Sequence, residues 1–245
     1  MSAEPFLPFV VAVGGGKGGV GKSTTAVNLA RALISMGVPP GVGLIDLDLS
    51  CPNAPQVLAV EPLSPQQFRT DGIVPAVYPG PLQVATVGLQ IPPGLANLRD
   101  DNWRTALVRT YATQMDWVYP VRFIVLDLPP GTGAETQEAL LAFPNLLGAV
   151  VVCTGREESL VDAERFVAMV LELKKPVLGF VQNMVAAECP FCHGMFGLFG
   201  GEVSEARLGV PALARVPYVS RPEFNTEIHL RGLARRLAGM TGGGA

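Results

Sequence analysis

Along this chain, short runs of apolar residues alternate with stretches whose apolar positions recur at helical spacing. "VVAV" at 10–13 is apolar throughout and of strand length. Residues 22–36 carry the helical period, and Gly37 stands just past its end as a terminator. A second strand over 43–45 ends at Asp46, 84–87 offers a third, and "FIVL" at 123–126 ends at Asp127. Residues 149–152 and 177–181 read as two more strands. Between them, 158–173 has helical spacing, and 226–240 reads as a last helix before "TGGGA". Strands that are apolar on both faces, separated by helical stretches, predict parallel strands joined by crossover helices, an α/β architecture.

Prolines crowd the segment from Pro52 to Pro93, which excludes one long helix there. The segment reads as a loop-rich insertion after strand two rather than a separate domain. The expected organisation is one domain over 1–240, with a loop at about 186–201 that carries a cysteine pair and a frayed, disordered tail at 241–245. No internal repeat stands out.

Composition narrows the picture. The 245 residues are 49% hydrophobic and 16% charged, with a formal net charge of −3, enough to bury a sizeable core and not a disordered composition. The charge gives no ground for broad nucleic-acid binding. There is no charged segment leading into an apolar signal core and no apolar run of about 18 residues, so the expected location is the cytoplasm, with no membrane partner. In a reducing compartment the four cysteines are expected as ligands, catalytic thiols or core fillers rather than disulfides.

The chemistry begins in "VVAVGGGKGGVGKSTTAVNLA". Gly16, Gly18 and Gly21 match a dinucleotide fingerprint, whereas Gly16, Gly21, Lys22 and Ser23 match a triphosphate loop. Both patterns use glycines to bring backbone N–H groups to phosphate oxygens at a helix N-terminus. Lys22 and Ser23 decide between them. A triphosphate needs a cation near its β and γ phosphates and a hydroxyl on Mg²⁺, and a dinucleotide needs neither. The expected nucleotide ligands are Gly16, Gly18, Gly19, Val20, Gly21, Lys22, Ser23 and Thr24.

A nucleotide hydrolase also needs an acid at the end of a neighbouring strand. "FIVLDLPPGTG" supplies Asp127, followed by the stiff turn Pro129, Pro130 and Gly131, suited to sensing the γ-phosphate. "GLIDLDLSCPNAP" supplies Asp46 and Asp48, on one face of an extended chain by the period of two. One would approach Mg²⁺ with Ser23 and Asp127, here Asp46, and the other, Asp48, would orient the attacking water. The plainer alternatives are helix capping for Asp127 and a solvent or structural role for either of the other two.

Here the sequence resembles a known group. "KGGVGKST" at 17–24 is similar to the deviant Walker A loop of the MinD/ParA/nitrogenase-iron-protein class, P-loop NTPases whose fold is a three-layer α/β/α sandwich with a mainly parallel central sheet. The signature lysine of that class matches Lys17 and implies a cation that reaches the partner's phosphates across a nucleotide-sandwich homodimer, as an arginine finger does. Within the class, "GLIDLDLSCPNAP", "LDLPPGTG", "PVLGFVQNM", "CPFC", "FGG" and "GVPALARVP" occur in the order of the Mrp/ApbC iron–sulfur carrier ATPases. The resemblance implies that Asn183 reads the adenine edge and that backbone near Pro217 helps hold the base. An amide that both donates and accepts suits that task.

Cys189 and Cys192 form C-x-x-C on an expected loop, with His193 following. A thioredoxin-like pair lacks its surrounding pattern here, and haem attachment normally follows export. Zinc and an iron–sulfur cluster remain. One chain brings two thiolates where either centre usually takes four, and a two-fold dimer completes the set. The family resemblance implies a [4Fe–4S] cluster bridging that dimer, and zinc stays open as the alternative. Cys153 is expected as a small buried hydrophobe and Cys51 as a bystander near Asp48.

The chain departs from the pattern at "LRDDNWRTALV", at "TGREES" after Cys153, and at "HGMFGLFGGE" beside the cysteines. The leading expectation is an ATP-hydrolysing, slowly turning over carrier that assembles a cluster on a homodimer and hands it to apo iron–sulfur proteins. Two other functions remain at this stage. One is a positioning or partitioning switch of the MinD/ParA type, for which "LRGLARRLAGM" at 230–240 would be a membrane-surface helix unless it packs on its own sheet. The other is a nucleotide-gated zinc scaffold with negligible turnover.

Overall fold

A computed structural model describes residues 7–38, 40–90, 100–219 and 226–242. The chain opens with β1 (Phe9–Gly14), the phosphate loop, and α1 (Lys22–Ser35), then β2 (Val42–Asp46). The proline-rich segment follows. It forms a five-residue α2 (Ala54–Leu58) and the short strands β3 (Gln67–Phe68), β4 (Ile73–Val74), β5 (Ala76–Tyr78) and β6 (Leu82–Ala85). Its portion at 91–99 lies outside the described residues.

The expected strand at 84–87 stops at Ala85. Thr86 turns the chain, its side chain accepting from the Gly88 N–H at 3.0 Å. Next come α3 (Asp101–Thr113), β7 (Phe123–Asp127) and α4 (Ala134–Ala142). Asp100 caps α3 by accepting from the Trp103 N–H, so the departure at "DDNWR" is a helix start. The chain continues through β8 (Leu146–Cys153), α5 (Glu157–Glu172) and β9 (Val177–Asn183). It ends with the hairpin β10 (Ala186–Glu188) and β11 (Met195–Gly197), α6 (Glu205–Leu208), β12 (Ala212–Val216) and α7 (Glu227–Met240).

Eight strands form one sheet in the order β12-β9-β8-β1-β7-β2-β6-β5. Every pairing is parallel except β5 on β6, which closes one edge antiparallel. β1 sits centrally, so Val10 and Ala12 face one layer of helices while Val11 and Val13 face the other. The first layer is α3, α4 and α5, with Phe166 and Tyr111 buried in it. The second is α1, α2 and α7. This is the three-layer sandwich with a mainly parallel sheet.

The last helix settles one expectation. Leu230, Leu233 and Leu237 of α7 are at most 2% exposed, packed in the core with α1, while Met240 is 49% exposed. The apolar face proposed for a membrane surface is therefore occupied by the protein's own core. No described helix is long and apolar enough to cross a membrane. Of the expected tail, Thr241 accepts from the Arg122 guanidinium at 3.2 Å through its carbonyl, and 243–245 lie outside the described residues.

Candidate functional site

Parallel strands end together, so the turns after β1, β2 and β7 gather at one edge of the sheet. The loop residues and the three aspartates that the sequence singled out lie there. Gly21 starts α1 at φ 91°, a left-handed conformation that glycine takes without strain. A Cβ on Gly21 would also run into the Asn183 amide.

Lys22 is buried, and its ammonium donates to the Lys17 carbonyl at 3.0 Å. Burial lowers its pKa, and the nearby Asp127 and Asp48 carboxylates oppose that. The Lys17 side chain is exposed, as are Gly18 and Gly19. The two lysines therefore differ in kind, one a fixture of the loop and the other directed to solvent.

Asp46 and Asp127 are register partners on adjacent strands. Both are fully buried, yet their surroundings differ. Asp46 accepts from the Asp48 N–H at 3.1 Å, the Ala54 N–H at 3.0 Å and the Thr86 hydroxyl at 3.3 Å, so both its oxygens are engaged. Burial pushes its pKa up to about 7 despite these donors.

Among the described residues neither Asp127 oxygen has a partner at full hydrogen-bond geometry, although the Ser23 hydroxyl is near enough to act on it. Burial raises its pKa well above the ordinary range and the neighbouring Asp46 adds to this, while Ser23 and Lys22 pull the other way. An orphaned buried carboxylate beside a loop hydroxyl fits a divalent cation. Ser23 and Asp127 are thus the side chains suited to Mg²⁺, and Asp46 is placed to shape the loop that carries Asp48. The sequence carried no local signal for Thr86, which reaches Asp46 from the turn after β6.

Asp48 is half-buried and accepts from the Cys51 N–H at 3.1 Å. Burial raises its pKa, with Lys22 and Arg104 among the groups opposing this. It faces a cavity of about 320 Å³ shared with Cys51, Arg104, Pro129, Pro130 and Glu135. Arg104, which the sequence reading did not single out, pairs with Glu135 at 3.3 Å. The turn after Asp127 is stitched to the phosphate loop. The Leu128 N–H donates to the Val13 carbonyl at 2.9 Å and the Gly131 N–H to the Gly15 carbonyl at 3.3 Å. A shift at one is felt at the other.

Asn183 ends β9, and its amide donates to the Val20 carbonyl at 2.9 Å. With Thr24, Val216, Pro217 and Thr226 it lines a slot of about 60 Å³ beside the loop. Gln182, one residue earlier, binds the Gly201 carbonyl and the Val203 N–H, joining the "QNM" and "FGG" segments. Arg156, in the divergent "TGREES", lies 4.2 Å over the Phe199 ring.

Cys189 and Cys192 sit at the tip between β10 and β11. The Cys189 N–H donates to the Gly194 carbonyl at 3.0 Å, and the His193 N–H to the Cys189 carbonyl at 3.0 Å. Backbone N–H groups of Cys192 and Phe191, with the Cys192 thiol, lower the Cys189 pKa, the electrostatics a thiolate ligand needs. Cys192 is exposed, Phe191 is 92% exposed, and Met195 and Phe196 are exposed beside them. The His193 ring contacts the Glu188 carboxylate rather than the thiols. No group of three His, Cys, Asp or Glu that could hold a metal occurs among the described residues. Cys153 is fully buried, and burial pushes its thiol up to about 12.

Comparison with known proteins agrees with this fold. The ParA family model described as NUBPL iron-transfer P-loop NTPase matches residues 7–227. An iron-sulfur cluster carrier protein of Methanocaldococcus jannaschii is 35% identical over 213 residues, covering 82% of this chain and 70% of that protein. A protein of the same description from Synechocystis is 33% identical over 251 residues, covering 94% and 70%. Among solved structures, a nucleotide-binding protein of Archaeoglobus fulgidus in complex with ADP is similar at a TM-score of 0.72 and 25% identity, covering 92% of this chain and 88% of that one. The septum site-determining protein MinD of Pyrococcus horikoshii, with Mg-ADP, shares the fold at a TM-score of 0.65, 19% identity and coverage of 96% and 98%.

Proposed function

The chain belongs to the NUBPL iron-transfer P-loop NTPase family, and from that we propose that it is an ATP-hydrolysing carrier that builds a [4Fe–4S] cluster between two copies and delivers it to apo-proteins. The observation that carries this reading is the Cys189/Cys192 pair at the hairpin tip, with Cys192 exposed, Cys189 half-buried and its thiol lowered toward thiolate, in the same chain as a complete triphosphate loop. Two thiolates per chain become four across a two-fold axis, the usual ligand count of such a cluster. Iron and sulfide are cargo, which suits a ligand pair at a hairpin tip with Cys192 exposed.

On the nucleotide side, the backbone of 16–24 holds the phosphates, Asn183 and the chain at Pro217 hold the base, and Ser23 and Asp127 hold Mg²⁺. The ion supplies charge neutralisation at the phosphate oxygens. Asp48 orients a water in line with the γ-phosphate. Lys22 leaves the Lys17 carbonyl for the phosphates, and Lys17 from the second copy completes the positive charge, so that hydrolysis depends on assembly. Asp46 keeps Asp48 in place by holding the loop N–H groups.

The test is anaerobic reconstitution with iron and sulfide, followed by iron and sulfide analysis and sedimentation. The expected result is a brown dimer with four irons per two chains. A Cys189→Ala/Cys192→Ala variant that binds as much iron as the parent overturns the reading. Zinc in place of iron, with no sulfide, would instead identify a nucleotide-gated zinc scaffold.

A further inference from the structure

Two cavities of this protein share one wall. The slot beside Asn183 holds about 60 Å³, and a second cavity of about 640 Å³ lies beneath the cysteine hairpin, bounded by Ala187, Glu188, Pro190, His193 and Phe196. Met184, Tyr218 and Val219 line both. A volume of about 60 Å³ suits a few waters and is too small for a purine. A base placed there presses on the described residues that line it, Met184 and Tyr218 among them.

The boundaries differ in how freely they can yield. On the loop side, Asn183 is tied to the Val20 carbonyl at 2.9 Å and Thr24 belongs to the first turn of α1. On the other side, empty space lies behind the wall. Tyr218 is 45% exposed, and Met184 holds a left-handed φ of 57°, a costly conformation for a non-glycine residue. The easier displacement is that of Met184 and Tyr218 into the hairpin cavity.

Such a displacement does not stay local. The Tyr218 N–H donates to the Ala186 carbonyl at 2.7 Å, and the Val185 N–H donates to the Val216 carbonyl at 3.1 Å. The wall is therefore bonded to the start of β10, three residues before Cys189. The Cys189–Gly194 and His193–Cys189 backbone bonds make the tip a unit that moves with β10.

We propose that Met184 and Tyr218 form a movable wall through which purine occupancy of the nucleotide site repositions Cys189 and Cys192 and resets their accessibility. This rests on the nucleotide site proposed above, but not on a cluster being bound. It distinguishes the base from the phosphates. A ligand that fills only the phosphate loop leaves the wall where it is.

The experiment uses the metal-free full chain under reducing conditions with Mg²⁺. Iodoacetamide labelling of Cys189 and Cys192 is followed by peptide mass spectrometry with no ligand, with ADP and with tripolyphosphate. ADP is expected to change both labelling rates by about fivefold or more, the lower range of measured site-to-site couplings, and tripolyphosphate is expected to leave them unchanged. Tyr218→Ala and Met184→Ala are expected to bind ADP and lose the shift. Hydrogen exchange at 186–197 in the same samples reads the movement independently of thiol chemistry. An equal shift with tripolyphosphate, or a full shift retained in both variants, overturns the wall. Calorimetry separates the two ideas: no ADP binding at all overturns the nucleotide site, whereas bound ADP with unmoved cysteines overturns only the wall.

Discussion

The Asn183 side-chain amide donates to the Val20 carbonyl at 2.9 Å, tying the end of β9 to the phosphate loop. In the proposed nucleotide site this bond would set the distance between the base and the phosphates. Gly21 lets it form, because a Cβ there would collide with the amide. Asn183→Ala removes a buried hydrogen bond and one expected partner of the base. A loss of about 1–3 kcal/mol is expected, read by calorimetry as roughly five- to a hundredfold weaker ADP binding.

The two loop lysines should separate by measurement. Lys22 is buried in the loop, and Lys22→Ala is expected to weaken triphosphate binding by about 1.5–3 kcal/mol, the range for hydrogen bonds to charged groups. Lys17 is exposed. Lys17→Ala should leave ADP affinity intact and lower the ATP turnover number by about a thousandfold or more, as for loss of a cation supplied in trans. Equal loss of ADP binding in both variants would place Lys17 on its own chain's phosphates.

Asp46 predicts a pH dependence. Its pKa rises from the ordinary carboxylate range to about 7 on folding, chiefly through burial. The folded protein therefore holds a proton that the unfolded chain releases between about pH 4 and 7. Stability of the nucleotide-free protein should fall as pH climbs through that window, by up to roughly 4 kcal/mol from this residue, and level off above it. Asp127, also raised by burial, adds with the same sign. Calorimetric Tm values from pH 5 to 8 check the slope, which Asp46→Asn should flatten.

Thiol reactivity should rank by environment. Cys189 is lowered toward thiolate by backbone N–H groups, whereas Cys153 is buried and pushed up to about 12. Brief alkylation of the native protein at neutral pH should label Cys189 and spare Cys153, with Cys153 labelled only after denaturation. Equal labelling of the two in the native state would contradict the described packing.

The α7 helix gives a packing prediction. Leu233 is 2% exposed in the layer shared with α1. Leu233→Ala should destabilise the fold by about 2–5 kcal/mol, seen as a lower denaturation midpoint. Met240→Ala at the exposed end should cost little.

The local chemistry was legible in the sequence. The strands at 10–13, 123–126 and 177–181 announce themselves because each is apolar and short. Lys22 and Ser23 identify a triphosphate loop because backbone and side-chain groups within a few residues do the binding. Asp127 and Asp48 stand out because each follows a strand. The small strands β3 to β5, the edge strand β12 and helices α3 and α4 were not delimited, since their periodicity is weak and they are held by neighbours rather than by propensity.

Distance in sequence hid the rest. Only the tertiary structure decided that Asp46 spends its oxygens on its own loop and on Thr86, while Asp127 has no partner at full hydrogen-bond geometry among the described residues. The same holds for the burial of α7's leucines and for the wall that Met184 and Tyr218 make between two cavities. The physical reason is that a residue's type states which bonds it can form, whereas its neighbours, brought from other strands by burial of the two cores, decide which of those bonds are used.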